Sequence, residues 1–195
     1  IMKGYLDILE WGKNDKELLN EAIENLNLEV KNIERIINTL FLSSNLEKIT
    51  IKKEVIDVKQ LFEKIKKDYE LLNIKRKILV KSDGNVNIFV DKNLISEVLR
   101  GLIDNSIKYS VGNIELIAKE NIMAEVIVRN YGEGIPEEEK KKIFNRNFQG
   151  KNAKKGAGLG LSIIKDIILL NDGEIYLENR KDGVDVRMLF KKIDY

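Results

Sequence analysis

Asn130-Tyr131-Gly132-Glu133-Gly134-Ile135-Pro136 and Gly156-Ala157-Gly158-Leu159-Gly160-Leu161 are the two runs that decide how this chain is read. They close a stretch that begins at Leu94 and first passes through Asn105, Lys108 and Tyr109 on a helical pattern. Between the two runs lie a short Ile143-Phe144 helix and a basic loop with Lys151, Lys154 and Lys155. Gly132 and Gly134 permit a tight turn and close approach of backbone to a flat ligand. Three alternating glycines ahead of a helix expose backbone N–H groups, and the helix N-terminus adds a field that favours an anion. Together they predict a pocket for a phosphorylated ligand with a lid, and the other elements read as its support. The spacing is neither G-x-G-x-x-G nor a P-loop, because no Gly-Lys-Ser/Thr follows.

Upstream, positions 101, 105, 108 and 109 share one helical face. That groups Asn105, Lys108 and Tyr109 away from the apolar surface of Ile95, Val98, Leu99 and Leu102. An Asn carbonyl is a hard oxygen ligand for Mg²⁺, and a lysine one turn on can meet a phosphate. Taken alone, an asparagine there is the ordinary partner of a neighbouring loop.

Working outward, Asp91 is placed to cap a helix from Lys92 to about Tyr109. Glu54 to Val58 alternates like a strand, and Lys59 to Leu72 returns to helical spacing. Ile78-Leu79-Val80 and Asn87-Ile88-Phe89-Val90 read as short strands around a Ser82-Asp83-Gly84-Asn85 turn. Asn113-Ala118 and Ala124-Arg129 form two more strands. Pro136, the single proline, suits the first turn of a helix through Phe144. Ser162 to Leu170 is the last helix, ended by Asn171-Asp172-Gly173. Glu174-Glu178 and Val184-Phe190 then close a hairpin around Asp182-Gly183. The fold class is α+β, a mixed sheet covered by helices on one face, preceded by a helical hairpin.

That hairpin occupies residues 1–48, and the α/β sandwich 52–195. Its first arm ends near Trp11 and Gly12-Lys13-Asn14-Asp15 breaks it. Its second arm carries Leu19, Ile23, Leu26, Val30, Ile33, Ile37 and Leu40 at alternating spacings of four and three. So narrow a seam suits half of a dimeric four-helix bundle, with a surface helix packed on its own domain as the alternative. One hairpin cannot cover both of its apolar faces, so a homodimer is expected.

Composition narrows the chemistry. The 195 residues are 43% hydrophobic and 34% charged, as in a soluble globular protein. With 34 basic against 32 acidic residues the net charge is +2, which predicts no nucleic acid as partner. Neither cysteine nor histidine occurs, which excludes disulfides, thiolate or imidazole metal sites and Ser-His-Asp catalysis. A reducing, cytoplasmic setting is expected. No spanning apolar run or signal peptide is found. A chain starting at Ile1 reads as a fragment, leaving a membrane-anchored parent open.

Taken in order, the segments resemble the ATP-binding domain of sensor histidine kinases, of the Bergerat or GHKL type. Leu99-Arg100-Gly101-Leu102-Ile103-Asp104-Asn105-Ser106-Ile107-Lys108-Tyr109-Ser110 is similar to the N box, and Asn130 to Pro136 to the D-x-G-x-G box. Ile143-Phe144-Asn145-Arg146 resembles the F box, and Gly156 to Ile163 the G-x-G-L-G-L box. Gly4-Tyr5-Leu6-Asp7-Ile8-Leu9 is similar to the end of the first helix of a dimerisation and histidine-phosphotransfer hairpin. In that family the acceptor histidine precedes this Gly-Tyr by about three helical turns, which places it ahead of Ile1.

The resemblance implies ATP and Mg²⁺ as cofactors. Asn105 would coordinate the metal, and Lys108 with Tyr109 would contact the nucleotide. Asn130, Gly132, Gly134 and Ile135 would shape the adenine pocket. Lys155, Gly156, Gly158, Leu159, Gly160 and Leu161 would hold the phosphates as the lid closes. It further implies γ-phosphoryl transfer to a histidine and then to an aspartate on a response-regulator receiver domain. Four positions depart from the family. Asn130 stands for Asp, at an expected cost of about 1–2 kcal/mol in adenine recognition. Gly101 stands for a first Asn, and Asn147 and Gln149 replace an aromatic and an arginine. Two classes remain open: a working kinase region, or a nucleotide-weak dimeric module acting through protein contacts. A coiled-coil protein with an incidental head would leave the boxes unexplained.

Overall fold

The computed structural model describes residues 2–11, 15–20, 22, 23, 25, 26, 30, 33, 37, 50–71, 76–146, 148 and 160–193. It divides into two compact units, Ile1–Lys48 and Ile49–Tyr195. In the first unit, α1 spans Met2–Trp11, and every described residue from 16 to 37 is helical, here called α2. Asp15 opens α2: its Oδ1 accepts from the backbone N–H groups of Glu17 and Leu18 at 3.1 and 3.0 Å. The seam residues Ile23, Val30, Ile33 and Ile37 are 40% to 58% exposed in the single chain. Leu40 and the Gly12–Asn14 break lie outside the described residues.

The second unit runs β1 (Lys53–Asp57), α3 (Val58–Glu70), β2 (Ile78–Ser82), β3 (Asn87–Asp91), α4 (Lys92–Tyr109), β4 (Val111–Glu120), β5 (Ala124–Tyr131), α5 (Glu137–Lys140), α6 (Gly160–Leu170), β6 (Glu174–Arg180) and β7 (Gly183–Phe190). A five-stranded sheet has the order β2-β4-β5-β7-β6. Only β2 and β4 pair in parallel; the other neighbours are antiparallel. Helices α3, α4 and α6 cover one face and bury the core, in which Phe62, Ile65, Leu99, Ile103, Leu116, Met188 and Phe190 are shielded from solvent.

Two expectations are corrected. The strands flanking Ser82-Asp83-Gly84-Asn85 are not a hairpin: β2 joins the large sheet, whereas β3 pairs antiparallel with β1 in a separate two-stranded sheet. Short apolar runs separated by a turn look alike in either arrangement, because pairing depends on distant partners. The helix after Pro136 stops at Lys140, with turns through Phe144. Pro136 is its N-cap, not its first helical residue.

Helix boundaries follow local chemistry. Asp57 caps α3 by accepting from Gln60 N. Asp91 caps α4, its Oδ1 accepting from Asn93 N and Leu94 N at 3.0 and 3.1 Å. Asn171, at the end of α6, accepts from Asp91 N at 2.7 Å and donates to Ile167 O at 2.9 Å. This one side chain therefore fastens the end of α6 to the start of α4. Asp172 takes the left-handed conformation there (φ 56°). Gly173 is needed for space instead, since a Cβ would lie 2.7 Å from the Phe190 ring.

The opposite sheet face carries a ladder of charge. Register places Glu115, Arg129 and Asp185 side by side on β4, β5 and β7. Arg129 holds the buried Asp185 through Nε and Nη2 at 2.8 and 2.9 Å, a bidentate pairing. Glu115 Oε1 accepts from Lys81 Nζ and Tyr131 Oη, both at 2.9 Å. Burial opposes ionisation of Glu115. The hydrogen bonds from Lys81 and Tyr131 and the charges of Lys81 and Arg129 outweigh it, and the carboxyl titrates below its ordinary range. Among the described residues, no helix is long and apolar enough to cross a membrane.

Candidate functional site

Helix α4 turns its apolar side to the sheet: Ile95, Val98, Leu99 and Leu102 are all buried. Asn105 and Lys108 are half-buried and Tyr109 is 50% exposed, as the spacing predicts. Lys108 Nζ lies 5.0 Å from the Tyr109 ring centroid, a cation–π distance. Asn105 makes no side-chain hydrogen bond among the described residues. The reading of Asn105 as a loop partner therefore has no contact to support it here.

The glycine box meets this helix through one side chain. Asn130, at the end of β5, donates from Nδ2 to Ser106 Oγ at 3.4 Å. Gly132 follows with φ +139°, a conformation that favours glycine. Its N–H donates to Asp182 O at 3.0 Å, and a Cβ there would lie 3.8 Å from Ser110 and Val111. The turn thus rests between the C-terminal end of α4 and the β6–β7 hairpin. Gly183 closes the hairpin against Asn130, where a Cβ would fall 2.0 Å from the Asn130 carbonyl oxygen.

Gly134 and Ile135 are held from β6. Asn179 accepts from Ile135 N at 2.9 Å and donates to Ile135 O at 2.7 Å. A Cβ on Gly134 would lie 3.1 Å from Asn179 Cγ. Sequence reading missed both Ser106 and Asn179. The available signal was polarity at inward register: Asn179 follows Ile175 and Leu177 on the helix-facing side of β6.

Gly160 and Leu161 open α6. Lys155, Gly156, Gly158 and Leu159 lie outside the described residues, as do Asn147 and Gln149. Helix α6 packs on α4 where Gly101 has no side chain; a Cβ there would approach Ile164 Cδ1 to 3.2 Å. Ile164 thus occupies the space beside position 101, which gives that glycine a packing role. From the F box, Arg146 Nη2 reaches Asp166 Oδ2 on α6 at 3.3 Å.

Comparison with known proteins agrees with this architecture. Residues 90–193 match the family described as histidine kinase-, DNA gyrase B-, and HSP90-like ATPase. The signal transduction histidine-protein kinase ArlS of Staphylococcus aureus is 28% identical over 212 residues, covering 97% of this chain and 45% of that protein. The chain therefore spans about half the length of the curated relatives it matches. Among solved structures, the catalytic domain of histidine kinase ThkA superposes with a TM-score of 0.63 at 28% identity, over 72% of this chain and 96% of that one. A ThkA structure in complex with the response regulator protein TrrA shares the fold at a TM-score of 0.68 and 24% identity, over 98% of this chain and 57% of that one. With more than half its length in the family match and the N and glycine boxes joined through Ser106, the chain belongs to the histidine kinase-, DNA gyrase B- and HSP90-like ATPases, and its second unit is a histidine-kinase ATP-binding domain.

Proposed function

We propose that this chain is the catalytic region of a sensor histidine kinase that binds Mg-ATP and passes its γ-phosphoryl group to a histidine of the intact protein, then to a response-regulator aspartate. The observation that carries the reading is Asn105. It is half-buried on α4, next to the residue that touches Asn130, and no described side chain or backbone group engages it. A hard oxygen is thus left available beside the base pocket. Among the described residues no group of three or more acidic side chains could hold a metal. Asn105 would offer Mg²⁺ one hard oxygen beside those of the ligand's phosphates and of water. The ion would supply neutralisation of phosphate charge, the main demand of phosphoryl transfer.

The chain's own residues have positional roles in this reading. Asn130 accepts from the adenine amino group, and Gly132, Gly134 and Ile135 form the floor on which the base lies. Lys108 and Tyr109 face the nucleotide from α4. Lys155, Gly156, Gly158, Leu159, Gly160 and Leu161 are assigned to the phosphates; of these, Gly160 and Leu161 open α6, where a helix N-terminus favours an anion. We place residues 1–48 as the dimerising hairpin, because four seam residues of α2 are exposed in the single chain. The response-regulator partner is supported by the complex that ThkA forms with TrrA. The reaction is placed in the cytoplasm.

A second reading, a nucleotide-weak dimeric module, is favoured by Gly101, whose neighbouring space Ile164 fills. The two separate on one experiment. The full-length protein incubated with γ-labelled ATP and Mg²⁺ should acquire acid-labile phosphate, and Asn105→Ala should abolish it. Absence of label in the wild type, or label indifferent to Asn105→Ala, contradicts the kinase reading.

A further inference from the structure

Where α4 meets β5, the hydrogen-bond direction is decided by a count of protons. Ser106 is 2% exposed, and its hydroxyl donates to Leu102 O at 2.9 Å. A carbonyl oxygen has no proton to give, so the single hydroxyl proton of Ser106 is committed there. Only lone pairs remain for Asn130, and the group that meets Ser106 Oγ is the Asn130 amide nitrogen, at 3.4 Å. Both residues are held in place. The Ser106 carbonyl accepts from Arg76 Nη1 at 2.7 Å and from Ser110 Oγ at 2.6 Å. The Asn130 backbone pairs with Val184 and is abutted by Gly183.

An asparagine amide has two faces of opposite character, an oxygen that accepts and a nitrogen that donates. With Nδ2 turned to Ser106, Oδ1 is left without a donor among the described residues. We propose that Ser106 is a positioning residue for base specificity. By holding Asn130 Nδ2, it presents Oδ1 to the base pocket, which takes a purine bearing a 6-amino group and turns away a 6-oxo purine. Reversed, the amide would offer N–H and prefer the 6-oxo base. An aspartate at 130 needs no such holder, because both of its oxygens accept. This inference rests on the nucleotide reading above.

The test is calorimetric titration of the chain with ADP and with IDP, which differ only at the 6-position edge of the ring. Four proteins are compared: wild type, Ser106→Ala, Asn130→Asp and the double variant. The wild type should prefer ADP by about tenfold, the worth of one hydrogen bond gained against one mismatched. Ser106→Ala should bring the two affinities within about threefold, since the amide is then free to turn over. In the Asn130→Asp background the same Ser106→Ala change should leave the preference intact, a coupling that a merely structural serine would not produce. Ser106→Thr keeps the hydroxyl and should keep the wild-type ratio. Equal wild-type affinity for both ligands overturns the inference while nucleotide binding stands, and so does a ratio that Ser106→Ala shifts equally in both backgrounds. Failure of a folded wild-type chain to bind either diphosphate overturns the nucleotide reading and this inference with it.

Discussion

Replacing Gly134 by alanine should destabilise the domain only while Asn179 is present. The φ of Gly134 lies outside the left-handed region, so a Cβ is limited by its neighbours and not by backbone strain. That Cβ would sit 3.1 Å from Asn179 Cγ, 3.2 Å from Oδ1 and 3.3 Å from Nδ2. The carboxamide must therefore retreat, and its bonds to Ile135 N and O, now 2.9 and 2.7 Å, lengthen together. Two such bonds at a half-exposed site are worth about 1–2 kcal/mol net, so Gly134→Ala should cost about that much. Asn179→Ala removes the same two bonds and should cost the same. In the double variant the crowding atoms are gone, and alanine also restricts the unfolded chain. The second substitution should then be neutral or stabilising by about 0.5 kcal/mol. Urea unfolding of the four proteins at one pH measures the coupling. Additive losses, with the double variant about 2–4 kcal/mol below wild type, would show that Gly134 and Asn179 are not coupled.

Glu115→Gln should lower stability at neutral pH by about 1–2 kcal/mol, because Lys81 and Arg129 lose the charge of their carboxylate partner. The folded carboxyl titrates below its unfolded value, so its contribution is present above about pH 4.3 and fades as pH falls through the depressed folded pKa. Thermal melts of wild type and variant should accordingly converge on the acid side, and parallel melting curves at every pH would count against it. Gly101→Asn, which restores the residue that the resemblance places there, should cost about 1–3 kcal/mol through overpacking on Ile164. Ile164→Val, which deletes the crowding Cδ1, should recover part of that loss in denaturant unfolding.

Much of the domain is legible in the sequence. Asp91 as cap, Lys92 to Tyr109 as one helix, and the closing β6–β7 hairpin all follow from capping chemistry and periodicity, which act within a few residues. The pairing of β3 with β1 was not legible, because it joins segments separated by α3 and β2, and no local pattern encodes a distant partner. At the site, Asn105, Lys108 and Tyr109 could be grouped by helical geometry alone. Ser106 and Asn179 could not, since their importance lies in what they touch: a strand end in one case, a turn in the other. The meaning of Gly101 also changed. A missing polar side chain in the sequence is, in three dimensions, a seat for Ile164 on the adjoining helix.

The proposed function stands on nucleotide binding beside the contact between Ser106 of α4 and Asn130. It is tested most directly by calorimetric titration of the chain with a non-hydrolysable ATP analogue, with and without Mg²⁺, beside Asn130→Asp. Micromolar to sub-millimolar binding that strengthens with Mg²⁺ is expected, with a gain of about 1–2 kcal/mol in the variant from charge-assisted recognition of the base. Absence of binding in the wild type and in Asn130→Asp alike, with both proteins folded, would contradict it.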